Sequence, residues 1–236
     1  MSLFSSAGGE FLLRWVHFLA GITWIGLLYY FNLVQGPFMA EADAAAKSGV
    51  TQKLLPRALW WFRWGAMLTF LSGALIILKR VGEAPEGVSV WTSPWGVAIL
   101  TGALFGTLMF LNVWLVIWPK QKVVIANAVA TAGGAQANVA APPAARRAFL
   151  ASRTNVVFSI PMLFFMGAAS HLPSAVTGSV TQYWLVVLAV AALVELNALM
   201  GDKGATKQPI EKIPGVIMSG FVVWAVVFAA VQLILT

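Results

Sequence analysis

Six apolar stretches divide this chain: Phe11 to Gln35, Leu59 to Leu78, Trp95 to Trp118, Val156 to His171, Tyr183 to Met200 and Val216 to Leu235. A helix needs roughly 20 apolar residues to cross a bilayer, and only the fourth stretch falls clearly short. The runs are continuous rather than alternating with period two, so they read as helices and not as strands of a barrel. The pattern predicts an all-α, polytopic bundle of six transmembrane helices forming a single membrane domain over residues 1–236. The first stretch is too long for the core of a signal peptide, carries Arg14 and His17, and lacks a small-residue cleavage site, so it reads as a retained helix. Trp15, Trp60, Trp61, Trp91, Trp95, Trp118 and Trp184 fall near stretch ends, where indole rings favour the headgroup region.

The polar connections orient the bundle. Lys47, Lys53, Arg57, Lys120, Lys122, Arg146, Arg147, Arg153, Lys203, Lys207 and Lys212 crowd the first, third and fifth connections, whereas the second holds Lys79 and Arg80 and the fourth holds none. The positive-inside rule then puts those three connections in the cytoplasm and both termini outside. The longest connection, 120–153, is rich in Ala and Gly, contains Pro142 and Pro143, and reads as a cytoplasmic loop. Its apolar part, Val123 to Ala130, is expected to lie along the membrane surface as a short interfacial helix.

Composition agrees with the pattern: 60% of residues are hydrophobic, 10% are charged, and mean hydropathy is +0.84, which excludes a soluble domain. The net charge of +7 reports insertion topology and attraction to anionic lipid, so the bilayer is the expected partner and nucleic acid is not. With no cysteine, the chain cannot supply disulfides, iron–sulfur clusters, thiolate zinc or haem c attachment. Two histidines leave haem b as the remaining metal chemistry.

His17 lies about two turns inside the first helix, where an unpaired polar group is costly. His171, at the far end of a helix that starts in the cytoplasm, reaches the same outer leaflet, so the pair could ligate one haem iron axially. Arg14, three residues before His17, is suited to a haem propionate. The alternative is structural, with Arg14 reaching the headgroups and His17 donating to a helix carbonyl. A one-ligand site with His171 as a surface group also stays open.

A second polar layer, Asn32, Arg63, Asn112, Asn155 and Glu195, falls near the cytoplasmic ends of the helices, and Arg63 and Glu195 are expected to pair there. Gly65, Gly73, Gly102 and Gly106 suit close helix packing. The Gly102 and Gly106 pair has the spacing of a helix-association motif and allows a homo-oligomer.

The segments RWVHFLAGITWIGLLYYFN (Arg14 to Asn32), WWFRWGAMLTFLSG (Trp60 to Gly73), NVWLVIWPKQK (Asn112 to Lys122) and SRTNVVFSIPMLFFMGAASHLP (Ser152 to Pro173) resemble the membrane domain of the PuuD-type urate oxidases. In that family a cytochrome c domain follows and is thought to take electrons from urate oxidation; neither it nor a haem c motif occurs in this sequence. The urate enzymes carry a Glu where Gly65 stands and a His near Thr154, so the chain departs from the pattern at both titratable positions. The His17 helix is also similar, over a shorter run, to the HemJ and CopD membrane proteins; in the HemJ group a first-helix histidine is associated with haem b.

Together these readings imply a redox, electron-transfer subunit of the bacterial cytoplasmic membrane. It would bind haem b near the outer face and work with a separate cytochrome or partner complex. The alternatives are a non-catalytic accessory subunit of a larger membrane complex and a small transporter centred on Glu195.

Overall fold

The computed structural model describes residues 3–87, 89–172 and 175–236, so Pro173 lies outside the described residues. Among them there is no strand, and six helices are long and apolar enough to cross a membrane. These are α1 (Ser6–Glu41), α2 (Ala44–Gly82), α3 (Pro94–Ala132), α4 (Ala141–His171), α5 (Val180–Leu199) and α6 (Ile213–Leu235). An even number of crossings brings both termini to one end. There Ser6 Oγ donates to Glu83 after α2, and the Thr177 N–H donates to the Leu235 carbonyl. The basic residues collect at the opposite end, called the basic end below.

Helix starts follow local chemistry. Ser5, Ser93 and Ser179 each accept a first-turn N–H, from Gly8, Gly96 and Gln182. Three helices run on through prolines that the sequence pattern treats as ends. Residues Tyr30–Gln35, Val50–Leu54 and Asn112–Ile117 widen into π-helical turns, and each is followed two residues later by a proline: Pro37, Pro56 and Pro119. A proline lacks the N–H and collides with the carbonyl four residues back, and a wider turn relieves that collision without ending the helix.

Two expectations are corrected as a result. The 120–153 loop shrinks to residues 133–140, because α3 continues to Ala132 and α4 begins at Ala141 with Pro142 and Pro143 in its first turn, where proline is favoured. Val123 to Ala130 is helical, but as a continuation of α3 rather than a separate surface helix. At about 1.5 Å per residue, α1, α2 and α3, with 36, 39 and 39 residues, far exceed the roughly 30 Å hydrocarbon thickness. Their extra turns project at the basic end, where Val50–Leu54 packs against Trp118–Ala132.

The fourth helix is the hub. Two-thirds of its membrane-length stretch is buried, against a third or less for every other helix. It packs on α3 and α6 along most of its length, on α5, and on α1 near the middle. The Gly102 and Gly106 face is spent inside this bundle: a Cβ on Gly102 would meet the Met166 N and Met162 carbonyl of α4 at 3.1 and 3.2 Å. α1 and α2 form a second tight pair, closest at Gly65, where a Cβ would meet the Trp24 N at 3.2 Å and the Ala20 carbonyl at 3.3 Å.

Candidate functional site

The polar residues singled out in the sequence fall into two groups inside the bundle. The layer nearer the termini centres on His17. Its ring lies on Gly73 of α2, where a Cβ would stand 3.0 Å from Cε1, so only glycine leaves room for the imidazole. The Ser72 hydroxyl lies 2.6 Å from the Leu68 carbonyl and 3.1 Å from His17 Nδ1; when its single proton goes to that carbonyl, its oxygen accepts from Nδ1. The tautomer with the proton on Nδ1 places the lone pair on Nε2, the state a metal ligand requires.

One turn toward the rim, Arg14 donates to Glu10 at 2.8 Å. Arg80 and Lys79 of α2 reach the same carboxylate at 2.9 and 3.4 Å, and Lys79 also binds Glu83 at 2.6 Å. Glu83 lies beyond the end of α2, and its hydrogen bond from Lys79 holds its carboxyl below the usual carboxylate range. Glu10 is the centre of this rim network, and its position four residues before Arg14 was the available signal for it.

His171 is exposed at the last turn of α4 and lines an open cleft with Ser93, Pro94 and Trp95 at the start of α3. Arg80 lies over the Trp95 ring at 5.7 Å, so His171 is level with Arg80. His17 meets Ser72 and Gly73, seven to eight residues earlier on α2, which puts it about 10 Å deeper at 1.5 Å per residue. The two histidines share an end of the bundle but no described neighbour.

The second layer joins α1, α3, α4 and α5. Asn155 of α4, fully buried, donates to the Met109 carbonyl of α3 at 3.0 Å. It accepts from Asn112 at 2.9 Å, and Asn112 also donates to Glu195 of α5 at 3.0 Å. Asn112 opens the π-helical turn of α3. Asn32, within the π-helical turn of α1, donates to the Leu28 carbonyl and to Ser152 of α4, both at 2.8 Å. The expected Arg63–Glu195 ion pair does not form: the Arg63 guanidinium stacks 4.0 Å over the Trp118 ring of α3 and close to Trp114. α2 packs mainly on α1 and α3, whereas α5 packs on α4 and α6, so equal depth did not bring the two charges to one side.

Arg153 is corrected as well: it is not a loop cation but a residue of α4, only 6% exposed. The run Ser152, Arg153, Thr154, Asn155 inside a helix carried that signal.

A family model described as urate oxidase N-terminal matches residues 87–230, more than half of the chain. The chain belongs to the membrane urate oxidase family. No curated protein and no solved structure matches it. Within the family-matched segment lie Asn112, Asn155, Glu195 and His171, while Arg14, His17, Asn32 and Arg63 precede it. Gly65, where the resemblance implies a Glu, is closed by the backbone of α1, and Thr154 is buried at 2% exposure. A urate-oxidase-like membrane subunit is therefore the coarse description that family and fold support.

Proposed function

We propose that this chain is the redox subunit of a urate-oxidase-type membrane assembly, holding one haem b through His17 and passing electrons to a separate cytochrome. On this reading the termini face outward from a bacterial cytoplasmic membrane, as the distribution of lysine and arginine favours. The observation that supports the proposal is the 3.1 Å contact between His17 Nδ1 and the Ser72 hydroxyl; with the Ser72 proton on the Leu68 carbonyl, it leaves Nε2 as the nitrogen without a proton. Arg14, Lys79 and Arg80, sharing Glu10 just above it, supply the cationic rim that propionates need. Haem b bound there would take up and release single electrons. The chain's own residues orient the imidazole, through the Ser72 hydroxyl and the bare face of Gly73. His171, nearer the rim, is left as a surface group of this site.

The test is the absorption spectrum of purified protein before and after dithionite. Wild type and His171→Ala should both show a Soret band and a reduced α band of the b type, and His17→Ala should show neither. Haem-free wild-type protein from haem-replete cells would reject the proposal. The closed packing at Gly65 favours a second reading, in which substrate is oxidised elsewhere and this chain is an accessory subunit. Haem-free protein copurifying with a larger complex selects that reading.

A further inference from the structure

The basic end holds an electrostatic imbalance that neither histidine explains. Arg153 is 6% exposed, yet its Nε and Nη1 meet no acceptor. Its guanidinium lies 5.0 Å from the Phe149 ring, a contact that steadies the charge but satisfies no N–H. A desolvated cation is normally retained with a hydrogen-bonded partner, because leaving it alone is costly.

Lys207, in the turn between α5 and α6, is 3% exposed, and its Nζ donates to Asn197 Oδ1 and the Met200 carbonyl, each at 2.9 Å. Both acceptors are neutral, and the third N–H of the ammonium is unused. Arg146 is paired with Glu211 and donates to the Asp202 carbonyl, and Arg147 donates to the Ala198 carbonyl. These groups share one neighbourhood: Glu211 feels both Arg146 and Arg153, Lys207 feels Arg146 and Arg147, and Arg146 feels Asp202. Four cations thus face two carboxylates where α4, α5 and the start of α6 converge.

We propose that this convergence is an oxyanion-binding site, in which Arg153 donates its free N–H groups to a phosphate-type anion and Arg146, Arg147 and Lys207 line the entrance. A planar guanidinium matches two oxygens of one oxyanion, and the surplus positive charge complements a phosphate. The anion comes from one of two sources with this shared chemistry: free in the aqueous phase, or as the headgroup of an anionic lipid. The site is independent of the haem reading, and its test involves no redox measurement.

The experiment is thermal unfolding of the full chain in neutral detergent. One arm compares millimolar phosphate with chloride at equal ionic strength, and the other compares added phosphatidylglycerol with phosphatidylcholine. The wild type is expected to melt higher with phosphate or with phosphatidylglycerol, and Arg153→Met to lose the shift. Without either probe Arg153→Met melts at or above wild type, since it removes an unpaired buried charge. Lys207→Met is expected to raise the half-saturating concentration about tenfold, as loss of one charge-assisted contact does. A shift with phosphate identifies a free oxyanion, and one with phosphatidylglycerol alone identifies a lipid headgroup. No shift in wild type, or the same shift in Arg153→Met, overturns the site. If Arg153→Met does not fold, Arg153→Lys, which keeps charge but loses the planar donor edge, is read the same way.

Discussion

Gly102 and Gly106 sit one turn apart on α3, yet the packing around them predicts opposite responses to the same added methyl group. At Gly102 a Cβ would stand 2.9 Å from the Met166 side chain, 3.1 Å from the Met166 N and 3.2 Å from the Met162 carbonyl. The side chain can turn away; the two α4 backbone atoms cannot. Bringing those contacts to an ordinary separation of about 3.5 Å or more moves the helices apart by roughly 0.3–0.5 Å. The same helix pair carries the Phe105–Phe158 ring contact at 5.3 Å and the Asn155 bond to the Met109 carbonyl at 3.0 Å, so the separation is felt along the interface. Gly102→Ala is therefore expected to cost about 1–3 kcal/mol, the range for overpacking a filled interior. At Gly106 the nearest atom is Met162 Sδ at 3.5 Å, an ordinary contact. There the better helix propensity of alanine, up to about 1 kcal/mol, decides the sign, and Gly106→Ala should be neutral or stabilising. Thermal unfolding in detergent, with oligomeric state followed by size-exclusion light scattering, separates the two. Equal losses in both variants, or a loss confined to the oligomer, would show that this face serves association between copies and would refute the packing argument.

Three further outcomes follow from named contacts. Asn155→Leu removes one donor and one acceptor from a buried layer and breaks the side-chain links to Asn112 and the Met109 carbonyl, so it should destabilise by about 1–3 kcal/mol in the same unfolding assay, whereas Asn32→Leu, one of whose two bonds is to the Leu28 carbonyl of its own helix, should cost less. Glu10→Gln leaves Arg14, Lys79 and Arg80 around a neutral group; the loss should be modest, about 1 kcal/mol, and should shrink as salt is raised, because the network lies at the rim. Glu211, in the connection before α6, is held below its ordinary carboxylate range by its hydrogen bond from Arg146. A depressed carboxylate contributes stability above its unfolded value and loses it as pH falls through its folded value. Acid melting curves should therefore drop below the normal glutamate range in wild type and flatten there in Glu211→Gln.

The spans were legible in the sequence; direction around each helix axis was not. Asn112, Asn155 and Glu195 meet through their side chains, as residues at like distances along neighbouring spans can. Which neighbour each one faces depends on packing that has no linear signature, and Arg63 turned to Trp118 rather than Glu195 for that reason. The fourth helix looked weakest because Arg153, Thr154, Asn155 and Ser159 dilute its hydropathy. All four are buried, and a helix surrounded by other helices need not be apolar on every side. The prolines misled for a related reason: Pro119, Pro142 and Pro143 read as breaks, but one follows a widened turn and two occupy a first turn. Nothing linear announced that the Ser72 hydroxyl would meet His17 Nδ1.

The buried setting of α4 has a consequence for biosynthesis. As the nascent chain leaves the ribosome, α3 is already in place, but α5 and α6, which cover the remaining sides of α4, have not yet been made. A segment carrying Arg153 and Asn155 partitions poorly into lipid by itself. It must therefore be sheltered by α3 or by the insertion machinery until the last two helices arrive, and the final step of assembly is the closing of those helices around it.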